Sequence, residues 1–229
     1  PEKIREAQKI FPGALETMYG QTEASSACTA MTAKELAIEE NIGAVGRATP
    51  MTRVEVMDPE GNILPPGEAG EVVIQGGLVM TGYYRNQKAT AETIRDGWLH
   101  TGDIGIIDAR GYLYLKDRMR DVIISGGFNI YPSDVEGALT RHPSVYECVV
   151  FGVDDDKWGE RVEAAVLLRE GANTGTEELI AFVREGLGAI KTPKAIHLVD
   201  DLPRSAVGKV LRRDVKAAWN TPDRRTLAK

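Results

Sequence analysis

Cysteine is nearly absent: the 229 residues hold two, Cys28 and Cys148, with no Cys-x-x-Cys spacing. That leaves no patterned disulfide framework. Two lone thiols fit buried, inert roles in a reducing compartment, so a cytoplasmic location is expected. Long apolar runs are missing as well. None approaches the roughly 20 residues that a helix needs to cross a bilayer, so no membrane span is expected. Positive charge is in deficit, with 28 Lys and Arg against 34 Asp and Glu and a net charge of -6. This excludes the basic footprint of a nucleic-acid binder, and no run of like charge makes a tail. The longest acidic cluster, Asp154-Asp155-Asp156, matches no calcium-loop spacing and is expected to be a solvated loop. Neither an internal repeat nor a low-complexity stretch is present, and no signal peptide is visible. Because the chain opens at Pro1 without a methionine, a missing upstream segment is expected.

What is there is a globular composition, 42% hydrophobic, enough to bury the core of one or two domains. Apolar positions at helical spacing predict a helix over 3–10, ended by Phe11-Pro12-Gly13, and Leu15 to Tyr19 reads as a short strand. From Ile42 to Leu115 the pattern changes to brief β-like runs: Val54 to Val56, Val72 to Ile74, Ile104 to Ile107 and Tyr112 to Leu115. Turn residues separate them at Asp58 to Asn62 and Asp108 to Gly111, as expected of a small antiparallel barrel or sheet. The charged stretch Lys116 to Asp121 interrupts this pattern. Beyond it the order reads strand (Val122 to Ile124), helix, strand (Glu147 to Val153), strand (Val162 to Leu168), helix (Thr176 to Leu187) and strand (Ile196 to Val199). Ser133 and Glu136 are spaced as a capping box for the first of these helices, and Thr176 is placed to cap the second.

Four stretches carry candidate chemistry, and each also has an ordinary structural explanation. Tyr19-Gly20-Gln21-Thr22-Glu23 sets an aromatic ring, a hydroxyl and a carboxylate on a turn, suited to a base, a phosphate and Mg²⁺. Trp98 to Asp103 places an acid after a glycine, where it is able to accept both ribose hydroxyls, although Thr-Gly-Asp is also a common turn. Gly126 and Gly127 follow the strand at Ile123 and Ile124 and precede Phe128, allowing close approach to a ligand or simply a sharp turn. Pro203 to Lys209 resembles a phosphate loop only superficially. Pro203 stands where glycine is required, and Val210 where Ser or Thr is. A lysine after Gly208 in a polar stretch is nonetheless well placed to swing.

Taken together and in this order, the four stretches resemble the second half of the adenylate-forming superfamily, which includes acyl-CoA synthetases, peptide-synthetase adenylation domains and beetle luciferase. The resemblance runs from about Pro1 to about Ala218. The stretch Asp121 to Pro132 is more similar to CoA ligases of fatty and aromatic acids than to peptide-synthetase domains. The fold implied combines α/β and α+β parts. A remnant of a layered αβ subdomain (1–40) leads into a β-rich subdomain (41–118), then a mobile α+β domain (119–220) and a tail (221–229).

The resemblance further implies attack of a carboxylate on the α-phosphate of Mg·ATP, giving an acyl-adenylate and pyrophosphate. A thiol, that of coenzyme A, then displaces AMP. It assigns Tyr19 with Gly20 to adenine, Thr22 to the α-phosphate, Glu23 to Mg²⁺, and Asp103 and Arg118 to the ribose. Arg120 becomes a hinge, a position where many relatives carry Asp or Lys. Lys209 becomes the catalytic cation of the first step, and Gly126, Gly127 and Phe128 line the path of the thiol in the second. The superfamily's phosphate loop and acid pocket have no counterpart in this sequence, so little ligase activity is expected of the 229 residues alone. Transfer to a carrier-protein thiol, or a non-catalytic nucleotide-binding module, are the alternatives.

Overall fold

The computed structural model describes residues 2–25, 27–206 and 208–219; the tail expected over 221–229 lies outside them. The chain forms two compact units, Pro1–Met119 and Arg120–Lys229.

The first unit opens with helix α1 (Glu2–Ile10), followed by a three-stranded antiparallel sheet of β1 (Thr17–Tyr19), β2 (Thr29–Met31) and β3 (Arg47–Ala48) in that order. Between β2 and β3 lies a single-turn helix, α2 (Ala33–Leu36). It is opened by a capping box in which Glu35 Oε2 accepts the Thr32 N–H at 2.9 Å. Strands β4 (Thr52–Met57) and β5 (Ala69–Gly76), helix α3 (Gln87–Thr93), and strands β6 (Ile94–Arg95), β7 (Trp98–Ile107) and β8 (Leu113–Arg118) follow. The five strands form an antiparallel sheet in the order β4-β5-β7-β6, with β8 also on β7. Val54, Val72, Ile74, Leu99 and Leu113 of this sheet share one core with Tyr19, Ala24 and Cys28. The expected turns are present, since Asp58 and Asp108 each accept a backbone N–H four residues on, from Asn62 and Tyr112. Helix α3 buries no residue and so carries no apolar period in the sequence; Asn86 caps it by accepting the Ala89 N–H at 3.1 Å.

The second unit contains β9 (Ile123–Ser125), β10 (Phe128–Ile130), α4 (Pro132–Leu139), β11 (Val145–Asp155), β12 (Gly159–Leu168), α5 (Thr176–Lys191), β13 (Ala195–Leu198) and α6 (Arg212–Trp219). Its sheet runs β10-β9-β12-β11, with β13 parallel to β12. Alternation along the strands sorts the core into two faces. Val150, Val162, Ala164 and Val166 pack with Val135 and Leu139 of α4 and Leu179 and Val183 of α5. Val149, Phe151, Val153 and Ala165 pack instead with Leu202 and with Val215 and Trp219 of α6. The sheet is therefore covered on both sides.

Several sequence expectations are corrected. The capping box at Ser133 and Glu136 does not form: α4 starts at Pro132 after an N-cap at Tyr131, because proline's fixed φ suits the first helical position. Glu136 instead accepts the Val150 N–H at 2.9 Å and the Arg212 guanidinium at 2.9 and 3.0 Å. Thr176 is the first residue of α5, and Gly175 takes the cap position. Asp154 and Asp155 close β11, and Asp155 Oδ1 accepts the N–H groups of Lys157 and Trp158 to make the hairpin turn. The Thr101-Gly102-Asp103 segment is an irregularity inside β7 rather than a turn after a strand. The sequence pattern does not predict helix α6, which buries only Val215 and Trp219 and carries charge at Arg212, Arg213, Asp214 and Lys216. Both cysteines are free and buried, and burial pushes both thiols above the ordinary range. Among the described residues no helix is long and apolar enough to cross a membrane.

Candidate active site

Strand β1 delivers Tyr19 to the core of the first unit and then exposes Gly20. A short 3₁₀ turn, Thr22–Ala24, follows; it buries Ala24 and leaves Thr22 exposed and Glu23 partly exposed. The Glu23 backbone carbonyl accepts the Met80 N–H at 2.7 Å, and its carboxylate Oε1 accepts the hydroxyl of Tyr83 at 2.8 Å. That bond, followed by slight burial, raises the Tyr83 pKa, so the phenol stays a donor.

Asp103 reaches the same region from β7. Glu71 of β5 faces Ile104, and Val73 faces His100, so Thr101, Gly102 and Asp103 stand opposite Val72 alone. This bulge breaks the alternation of β7 and turns the Asp103 carboxylate inward, where the residue is 8% exposed. Its Oδ2 accepts the Tyr19 hydroxyl at 2.7 Å, and its Oδ1 pairs with Arg118 Nε at 3.1 Å. Arg118 is the direct cross-strand partner of Asp103 on β8. Burial first, and then the hydrogen bond to Asp103, drive the Tyr19 pKa far up, so that hydroxyl remains a proton donor. Tyr19, Asp103 and Arg118 are thus brought together, with Thr22 and Glu23 on the turn that leaves β1.

In the second unit, Gly126 and Gly127 are the two central residues of the β9–β10 hairpin, since Ser125 pairs with Phe128. Both have positive φ, 58° and 83°, as a two-residue primed turn requires. A Cβ on Gly126 would lie 2.8 Å from the Trp158 ring. Phe128, at the turn, is 55% exposed. Arg120 is exposed in the 3₁₀ turn Met119–Asp121. Arg212, at the start of α6, holds the next residue, Asp121, at 3.0 Å as well as Glu136.

Lys209 lies on a loop closed by a bridge between Arg204 and Val210. Ser205 N–H donates to the Lys209 carbonyl at 2.7 Å, and Lys209 N–H donates to Ser205 Oγ at 3.1 Å. Arg204 pairs with Glu147 of β11 and donates to the Gly208 carbonyl at 3.3 Å. The backbone around Lys209 is therefore cross-bonded while the residue itself is exposed.

Sequence reasoning did not single out Tyr83, Glu71, Arg204 or Glu147. Glu71 alone left a trace, as an acid opening the apolar run Val72 to Ile74. The others act through partners too distant in the chain for any local pattern to show.

Residues 1–84 match the family described as AMP-binding enzyme, and residues 134–209 match the AMP-binding enzyme C-terminal domain. The chain is 42% identical over 198 residues to a feruloyl-CoA synthase of Amycolatopsis sp, covering 86% of this chain and 40% of that protein. It superposes with a TM-score of 0.89 on the amide bond synthetase McbA from Marinactinospora thermotolerans, at 38% identity, covering 96% of this chain and 45% of that one. The o-succinylbenzoate CoA synthetase of Bacillus subtilis, in complex with its acyl-adenylate intermediate, matches with a TM-score of 0.84 and 34% identity over 93% of this chain and 43% of that one. The chain therefore spans less than half the length of these relatives. Both parts of the family pattern occur here in order and on the same fold, so the chain belongs to the adenylate-forming superfamily of AMP-binding enzymes.

Proposed function

We propose that the chain is a portion of an ATP-dependent acyl-CoA ligase. Such an enzyme joins a carboxylic acid to AMP with release of pyrophosphate, then transfers the acyl group to the thiol of coenzyme A. The observation that carries this reading is the preset carboxylate of Asp103. A carboxylate offers about four acceptor positions, and Tyr19 and Arg118 occupy only one on each oxygen. The remainder suit the two adjacent hydroxyls of a ribose. Tyr19 fixes that carboxylate and presents its remaining ring surface, beside Gly20, to the adenine. Thr22 offers its hydroxyl to the α-phosphate, and Arg118 adds a second contact to the ribose.

Among the described residues no group of three His, Cys, Asp or Glu is set to hold a metal ion. Mg²⁺ is commonly bound by one or two carboxylates together with phosphate oxygens. Glu23 is the carboxylate that fits, and Mg²⁺ held there would neutralise charge on the phosphates.

In the first step an acid oxygen bonds to the α-phosphorus as the bond to pyrophosphate breaks. Two anions must meet, and the ammonium of Lys209 is the cation that would offset their repulsion and stabilise the transition state. Arg120 supplies a solvated pivot for the unit that bears Lys209. In the second step the thiol sulfur bonds to the acyl carbon and AMP leaves; the side-chain-free turn at Gly126 and Gly127, with Phe128, borders the thiol's path.

Acid-dependent exchange of pyrophosphate into ATP, followed by thioester formation on adding coenzyme A, is the expected behaviour of the full polypeptide that carries this chain. Absence of acid-dependent exchange overturns the reading. The 229 residues alone are expected to release pyrophosphate only slowly, because lost positioning is worth on the order of 7–11 kcal/mol. The likeness to an amide bond synthetase favours one second reading, in which an amine takes the acyl group. Supplying amines in place of coenzyme A distinguishes the two.

A further inference from the structure

We infer that Glu71 is a positioning residue that fixes the Asp103 bulge and so sets how strongly the site selects a nucleotide by its ribose hydroxyls. The inference rests on the assignment of Asp103 to the ribose.

A bulge that opposes three residues to one strips backbone groups of ladder partners. Here side chains supply partners for three such groups. Thr101 Oγ1 donates to the Val72 carbonyl at 2.7 Å, and the Asp103 N–H donates to Thr101 Oγ1 at 3.1 Å. The Gly102 N–H, at the apex where φ is 70°, donates to Glu71 Oε1 at 3.0 Å. The second oxygen of Glu71 lies 2.7 Å from His100 Nδ1 and 3.5 Å from Arg95 Nη2. The Glu71 side chain is 13% exposed. It is therefore tied to strand β5 by its backbone, to β7 by Gly102 and His100, and to β6 by Arg95.

Thr101 and Glu71 divide the work. Thr101 closes the bulge locally, whereas only Glu71 reaches the residue immediately before Asp103 from another strand. Without that acceptor, the Gly102 amide has no partner within the ladder and the apex is free to rotate. Asp103 then swings against Tyr19 and Arg118, and the preset acceptors lose their direction. The expected cost falls on recognition of the hydroxyls, not on the remainder of the nucleotide. Glutamine in place of Glu71 keeps an oxygen for the Gly102 N–H but no longer accepts from Arg95, so it preserves the tie to the bulge while giving up the one to β6.

The test compares AMP with 2′,3′-dideoxy-AMP, titrated into the full polypeptide and three variants. Wild type is expected to prefer AMP clearly. Asp103→Ala abolishes the preference, and Glu71→Ala reduces it about tenfold, the scale of one charge-assisted hydrogen bond. Affinity for the dideoxy nucleotide stays within about twofold in Glu71→Ala, and Glu71→Gln restores most of the preference for AMP. A wild type or Asp103→Ala protein that breaks this pattern overturns the ribose assignment and the inference with it. If Asp103→Ala behaves as expected but Glu71→Ala keeps the full preference, or weakens both nucleotides equally, the inference alone fails. Hydrogen exchange at the Gly102 amide supplies a check without ligand. Protection that survives in Glu71→Ala also sinks the proposal.

Discussion

Asp103 and Lys209 carry the opposite charges of the proposed reaction, and the protein holds them in opposite ways. Asp103 is nearly buried, gripped on both oxygens by Tyr19 and Arg118, and seated on a bulge whose amides are satisfied by Thr101 and Glu71. Lys209 has its restraint in the backbone, through Ser205 and the Arg204–Glu147 pair, while its residue is exposed. An acceptor for a bound nucleotide gains from being fixed in advance, since no ordering is left to do on binding. A cation needed for one step and unwanted in the next gains from a firm loop with a free tip.

The sharpest way to break this contrast is Lys209→Ala. Adenylation is expected to slow by roughly 10²–10³-fold, the scale of removing one preorganised charge stabiliser. Thioester formation from supplied acyl-adenylate should remain near wild type, with both half-reactions followed separately. An equal loss in both erases the proposed division. Asp103→Ala should weaken AMP by about a hundredfold, the sum of two charge-assisted hydrogen bonds, as measured by calorimetry. Tyr19→Phe should show a smaller share of the same loss.

Gly126→Ala tests the hairpin. Its φ of 58° and the Trp158 ring 2.8 Å from the added Cβ should cost about 1–2 kcal/mol in unfolding measurements, the scale for a left-handed non-glycine residue. Thioester formation is expected to suffer more than adenylation.

The smallest expected effect lies away from both sites, at Glu35. Hydrogen bonds from the Thr32 backbone and side chain, then from Arg47, hold its carboxyl down at about 2 against an ordinary value of 4.5. Its contribution is thus complete above the ordinary value and is lost as pH falls toward the folded value. Glu35→Ala should destabilise by about 1 kcal/mol near neutrality. The difference in melting temperature from wild type should shrink progressively below pH 4.5.

The same contrast explains what was legible in the sequence. Strands such as Val72 to Ile74 and Val162 to Leu168 announce themselves as near-continuous apolar runs, because successive side chains are buried on both faces of their sheets. The residues proposed to carry the chemistry, Tyr19, Glu23, Asp103 and Lys209, stand in short motifs that a local string displays. Their supports do not. Tyr19 meets Asp103 across 84 residues of chain, and Tyr83 meets Glu23 across 60. At Gly102 a local string shows only that glycine permits a bend, not that three residues of β7 stand opposite Val72 alone. Ser133 misled in a similar way, because Pro132 had already begun the helix and Glu136 was committed to Arg212 and Val150.

The chain has three tryptophans, and two of them, Trp98 and Trp219, are 9% and 6% exposed. Trp158, packed against the hairpin glycine, is 43% exposed. Its indole should therefore emit at longer wavelength than the other two and dominate quenching by acrylamide. Nature has left an optical reporter beside the segment assigned to the thiol's route, so arrival of a ligand there should be visible in the intrinsic fluorescence with no dye attached.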